Sequence, residues 1–179
     1  MPRLRPSVEV MDVVFERVDA RRYLIGVRRN ARTDVGADVT PRPGPGHAEV
    51  PHDLVHFVVE EQAELPLGIY GQVAAGGEVG GFFRPDPGDR HKADDQRRSR
   101  RLGSAGAGDV GMSERLAALV DERGRLRGPL PEELDPALGE RIQARLDDVL
   151  QQWRDTAPGE QLVLTWPRVR TSAARRPGS

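Results

Sequence analysis

Residues Pro51 to Phe83 contain no lysine or arginine, in a chain that has 27 basic residues. The stretch holds the strongest apolar run of the sequence, five carboxylates (Asp53, Glu60, Glu61, Glu64 and Glu78) and two of the four histidines, His52 and His56. At about 100° per residue, Leu54, Val55, Phe57, Val58 and Leu65 spread over one broad face, and His52, Asp53, His56, Glu60 and Glu64 fall on the other. Pro51 suits a first helical turn, where its missing N–H costs nothing, and Asp53 favours the positive end of the helix dipole. Pro66 sets the end. The spacing therefore predicts a helix from Pro51 to Glu64. A second short helix over Leu67 to Ala75 is closed by Gly76 and Gly77. The rest of the chain is expected to organise around this segment.

The flanks read differently. Val8 to Val18 is rich in β-branched residues and predicts a strand. Tyr23, Ile25 and Val27 alternate with Leu24, Gly26 and Arg28, which predicts a second strand and an antiparallel hairpin. Asn30 to Glu49 contains Pro-Arg-Pro-Gly-Pro-Gly at Pro41 to Gly46 and reads as loop. Arg84 to Gly111 is poor in apolar residues and reads as a disordered linker or insertion. Ser113 is placed to cap a helix that Gly124 can stop. After Asp135-Pro136, the residues Leu138, Ile142, Leu146, Val149, Leu150 and Trp153 follow helical spacing, with Arg, Asp, Glu and Gln between them. Gln161 to Trp166 reads as a third strand.

These elements predict an α+β fold. A small, mostly antiparallel sheet, made of the N-terminal hairpin and the C-terminal strand, is covered by two or three helices. In domain terms, residues 1–83 hold the hairpin and the histidine-bearing helical segment, and 84–111 form the linker. Residues 112–166 complete the same domain, and 167–179 are a disordered basic tail.

Composition removes several classes of function. The net charge of −1 gives no field toward nucleic acid or anionic lipid. Lys92 is the only lysine, and the excess of Arg, Ala, Gly and Pro has the look of GC-rich coding sequence, so the arginine run Arg97 to Arg101 is a weak nucleic-acid signal. With Asp94 and Asp95 beside it and no interleaved aromatics, a solvated segment explains it better. The absence of cysteine excludes disulfides, thiolate metal sites and a cysteine nucleophile. No apolar run reaches the roughly 18 residues of a membrane span, and the N-terminus lacks the apolar core of a signal peptide. A cytoplasmic protein without a membrane partner is the expectation. Ser99, Ser104 and Ser113 lack the glycine-flanked elbow of a serine hydrolase.

The chemistry with most promise is His52-Asp53-Leu54-Val55-His56. Residues four apart lie on one helix face, and two imidazoles so placed can share a metal ion such as zinc. Glu60 continues the same side, and Glu78, His47 and His91 are further ligand sources. Along a straight helix His52 and Glu60 stand roughly 12 Å apart, too far to close on one ion without a break. In the H-E-x-x-H zinc proteases a glutamate acts as general base. Here Asp53 takes that place and is one methylene shorter, so Asp53 and Glu60 are the candidates for handling a proton. The competing reading makes His52, Asp53, His56, Glu60 and Glu64 the solvated side of an amphipathic helix.

The residues His52-Asp53-Leu54, His56-Phe57, Val59-Glu60 and Gly68 to Gly76 resemble a segment of uncharacterised small bacterial proteins, H-D-L-x-H-F-x-V-E followed by G-x-x-G-Q-x-A-x-G. That resemblance implies no activity, fold or cofactor. The functional expectation is a binding or interaction protein with a metal-binding face on the Pro51 to Glu64 helix and a protein partner. The alternative is a metal-dependent hydrolase.

Overall fold

The computed structural model of the chain describes residues 11–29, 37–86, 88 and 92–166. Four strands form one antiparallel sheet: β1 (Met11–Arg17), β2 (Tyr23–Arg28), β3 (Val39–Pro43) and β4 (Gln161–Trp166). Their order is β3-β2-β1-β4. Five helices accompany them among the described residues: α1 (His52–Gln62), α2 (Ile69–Ala74), α3 (Lys92–Ala105), α4 (Ala107–Ala117) and α5 (Leu138–Asp155). This is the α+β fold expected from the sequence. The tail over 167–179 lies outside the described residues.

The β1–β2 hairpin pairs Phe15 with Ile25 and Val13 with Val27, and its turn is held locally. The Asp19 carboxylate accepts the backbone N–H groups of Arg21 and Arg22 at 2.8 and 2.9 Å and pairs with the Arg22 guanidinium. On the other side of β1, β4 sets Leu162 against Phe15 and Leu164 against Val13. Its strict alternation of exposed and buried residues is what a half-buried strand requires.

Two stretches depart from the sequence expectation. Within the Asn30 to Glu49 segment, β3 pairs with β2. Pro41 and Pro43 argue against a central strand, but β3 lies at the sheet edge, where a missing N–H leaves no ladder bond broken. Gly26 admits it: a Cβ there would stand 2.8 Å from the Val39 carbonyl oxygen and 2.9 Å from Pro41. The second departure is in the presumed linker over 84–111, which holds α3 and the first five residues of α4. Composition hid them. Gly106, Gly108 and Gly111 weaken local helix propensity, yet α4 is fastened from outside, because Asp109 accepts the Leu67 N–H at 2.8 Å. Gly106 permits the approach, since a Cβ there would meet the Leu67 carbonyl oxygen at 2.4 Å.

The core lies between the sheet and helices α1, α4 and α5. Leu138, Ile142, Leu146, Val149, Leu150 and Trp153 of α5 are all buried, as the stripe predicts. Phe57 of α1 meets Trp166 of β4 edge-on with centroids 5.2 Å apart, and Tyr23 of β2 meets Trp153 of α5 at 6.2 Å. Helix α1 ends in a reversed turn. Glu64 takes φ 53°, and the N–H groups of Leu65 and Glu64 return to the carbonyls of Glu60 and Glu61.

The solvated-face reading of α1 fails at Asp53, His56 and Glu60, which are buried, and holds at His52 and Glu64, which are exposed. Every residue from Asp53 to Glu60 is buried. The polar side of α1 is covered by β2, α2 and α4 together, which meet Asp53, Glu60 and His56. No helix among the described residues is long and apolar enough to cross a membrane.

Candidate metal centre

Burying the polar side of α1 forces each of its polar groups to find a partner. Three separate arrangements result, one for each of Asp53, Glu60 and the histidine pair.

Asp53 turns toward the sheet. Its Oδ2 lies 2.7 Å from the Tyr23 hydroxyl, which is also 2.8 Å from the Pro45 carbonyl oxygen. Tyr23 has one proton to donate, so a proton on Asp53 satisfies the whole set. Burial raises the Asp53 pKa in the direction that keeps that proton. Asp53 is therefore tied into the fold on the sheet side of α1.

Glu60 is fully buried. Its Oε1 accepts the Ile69 N–H at 2.8 Å and its Oε2 the Tyr70 N–H at 2.9 Å. The carboxylate thus serves as a tertiary cap for α2, whose own N-cap residue, Gly68, has no side chain to offer. A Cβ on Gly68 would stand 2.5 Å from the carboxyl carbon, so glycine is what lets the cap close. Burial pushes the Glu60 pKa up to about 7, against the pull of its hydrogen bonds from Ser113, Tyr70 and Ile69.

The histidines come together as the i, i+4 spacing requires. His52 Nε2 and His56 Nε2 are 3.0 Å apart, with rings edge-on at 87°. His52 is exposed and His56 is buried. The other nitrogen of His56, Nδ1, lies 2.7 Å from Ser113 Oγ, and that oxygen lies 2.7 Å from Glu60 Oε1. Burial, then the neighbouring His52, lower the His56 pKa to about 4, so the imidazole is neutral near pH 7.

The third donor comes from α4. Glu114 Oε2 lies 3.7 Å from His56 Nε2, and the Glu114 side chain is 59% exposed. One donor atom each from His52, His56 and Glu114 lies within 4.8 Å of the other two. Two imidazole nitrogens and one carboxylate oxygen at such spacing suit zinc or another first-row transition ion, with positions left for water. The group lies at the surface, between the start of α1 and the end of α4.

The other sequence candidates fall elsewhere. Glu78 is buried beyond α2, where its carboxylate meets Arg84 at 3.3 Å and its N–H donates to Ser99 Oγ. His47 is exposed in the loop before α1 and is not in the donor group. His91 lies outside the described residues. Glu60 reaches the histidines only through Ser113.

Sequence reasoning missed Ser113 and Glu114. The sequence places Ser113 as a helix cap, but it sits inside α4, fully buried. Their pairing with α1 spans more than fifty residues, and no local spacing encodes it. The one available signal was that a buried α1 would need polar partners from a second helix.

No protein-family model matches the chain, and comparisons with curated proteins and with solved structures found no match either.

Proposed function

We propose that this protein binds a divalent transition metal through His52, His56 and Glu114. The observation that carries this reading is the convergence of one ring nitrogen from each of two imidazoles and a carboxylate oxygen, from two different helices, within 4.8 Å. The chemistry of the set agrees with it. His56 is neutral and its outer nitrogen faces the group, while its inner nitrogen is held by a buried hydroxyl, a common support for a metal-bound imidazole. The absence of lysine and arginine from Pro51 to Phe83 keeps α1 free of cations that would repel the ion.

Exposure of His52 and Glu114 lets water, or a donor from a partner protein, complete the coordination shell. Val163, on β4, is the one large hydrophobic side chain exposed among the described residues. Recognition at the α1–α4 face would therefore run through the metal and its polar rim rather than through an apolar patch.

A metal-dependent hydrolase is the second reading, favoured by the open positions beside three protein ligands. Asp53 and Glu60 give it little help as proton carriers, since both carboxyl groups are buried and hydrogen-bonded away from solvent.

The test is metal analysis of the full chain purified without an affinity tag, beside a His52→Ala, His56→Ala double variant. One metal per chain, absent from the variant, supports the proposal. Absence of bound metal, together with failure to take up added zinc, cobalt or iron(II), sinks it. If metal binds, hydrolysis of activated esters and phosphoesters by the loaded protein separates the two readings.

A further inference from the structure

We infer that Ser113 is a positioning residue for the metal centre: its hydroxyl, backed by Glu60, holds His56 in the tautomer that presents Nε2 to the ion. The inference rests on the metal-binding reading above and extends it to two residues that would not touch the metal.

The argument is a count of protons. Ser113 Oγ lies 2.7 Å from both Glu60 Oε1 and His56 Nδ1. A hydroxyl has one proton and can donate to only one of them. Glu60 Oε1 and Oε2 already accept the N–H groups of Ile69 and Tyr70, and an ionised carboxylate can only accept. With Glu60 ionised, as it is at pH 8, Ser113 donates to Glu60, and its oxygen lone pair takes the proton of His56 Nδ1–H. That leaves Nε2 of His56 without a proton and with its lone pair facing His52 and Glu114. Reversing the relay would put the proton on Nε2 and block the coordination position.

The relay is also rigid. Ser113 and Glu60 are fully buried, so bulk water does not compete for these bonds. Glu60 is fixed at both oxygens to the start of α2, and Ser113 is fixed within α4. His56 is thus held on its inner side by Ser113, which Glu60 and the start of α2 fix in turn, while His52 and Glu114 approach from solvent.

The experiment uses the full chain, wild type and Ser113→Ala, with zinc titrated against a competing chelator. Side-chain 15N spectra of the metal-free proteins at pH 8 report the His56 tautomer. We expect wild-type His56 to carry its proton on Nδ1. In Ser113→Ala, Nδ1–H loses its acceptor. The tautomers should then mix, and zinc affinity should fall about 10- to 100-fold while the circular dichroism stays that of wild type. Unchanged affinity in a folded Ser113→Ala overturns the inference. So does a wild-type spectrum showing the proton on Nε2, and that measurement stands even if the variant does not fold. If wild type takes no zinc, the metal reading falls by itself, and the tautomer spectrum still decides whether the relay runs as inferred.

Discussion

Helices α1 and α5 are both buried against the sheet, but by different means. Helix α5 presents one apolar stripe inward and keeps charges on its exposed side, as with Arg141, which pairs with Asp135. Helix α1 is buried on its polar side as well, at Asp53, His56 and Glu60. Its stability depends on hydrogen-bond partners delivered by β2, α2 and α4. Apolar burial asks only for volume, whereas polar burial asks for particular atoms at particular distances. The candidate donor group of His52, His56 and Glu114 lies on that side of α1.

Four substitution and pH experiments put this contrast to the test. The largest effect is expected in α5. Leu146→Ala should cost about 2–5 kcal/mol by removing buried volume, read by urea unfolding, while leaving metal affinity unchanged. A loss below about 1 kcal/mol would mean that α5 is not the packed element described.

Glu60→Gln keeps the shape of the α1 side chain but replaces one acceptor with a donor. At least one N–H at the start of α2 then faces another N–H, and about 1–3 kcal/mol should be lost. If this substitution is neutral, the buried polar side of α1 is less tightly matched than its geometry indicates.

The pH dependence follows from two opposed shifts. Folded His56 titrates near 4 instead of 6.5, so its contribution is present above 6.5 and is lost as the pH falls toward 4. Folded Glu60 titrates near 7 instead of 4.5, so its contribution is present below 4.5 and is lost as the pH rises toward 7. Between 4.5 and 6.5 the two slopes oppose each other in the wild type. Glu60→Gln should expose the His56 slope, and His56→Gln the Glu60 slope, each on the order of 1.4 kcal/mol per pH unit and of opposite sign. Slopes of the same sign in the two variants would contradict the assignment.

The smallest effect is at the end of α1. Glu64 is exposed and holds a positive φ, so Glu64→Gly should relieve left-handed strain by up to about 1 kcal/mol. A destabilised variant would show that the Glu64 side chain carries more than its backbone turn.

The same contrast explains what could be read in the sequence. The α5 stripe, the hairpin and β4 were legible because burial there follows local period. The extent of α1 was nearly so, since Pro51 and Pro66 bracket it. Burial of Asp53, His56 and Glu60 was not legible, because a period separates polar from apolar faces but does not say what covers the polar one. Edge strand β3 was hidden by its prolines, and α4 by its glycines, both tolerated through contacts made far away in the chain. The histidine pair was visible as i, i+4 spacing. Its carboxylate partner, Glu114, was not, because it arrives on α4 only once the chain has folded.

We propose that the polar side of α1 and the end of α4 together hold a metal ion. Glu114 tests it most directly, since it is exposed, belongs to α4 and can be changed without disturbing the core. Zinc affinity of the wild type and of Glu114→Ala should be measured by chelator competition. One zinc per chain is expected in the wild type, with an affinity at least about tenfold weaker in Glu114→Ala, a loss of roughly 1.4 kcal/mol or more. Equal affinity in the two proteins would remove Glu114 from the site, and no uptake by the wild type would contradict the metal centre itself.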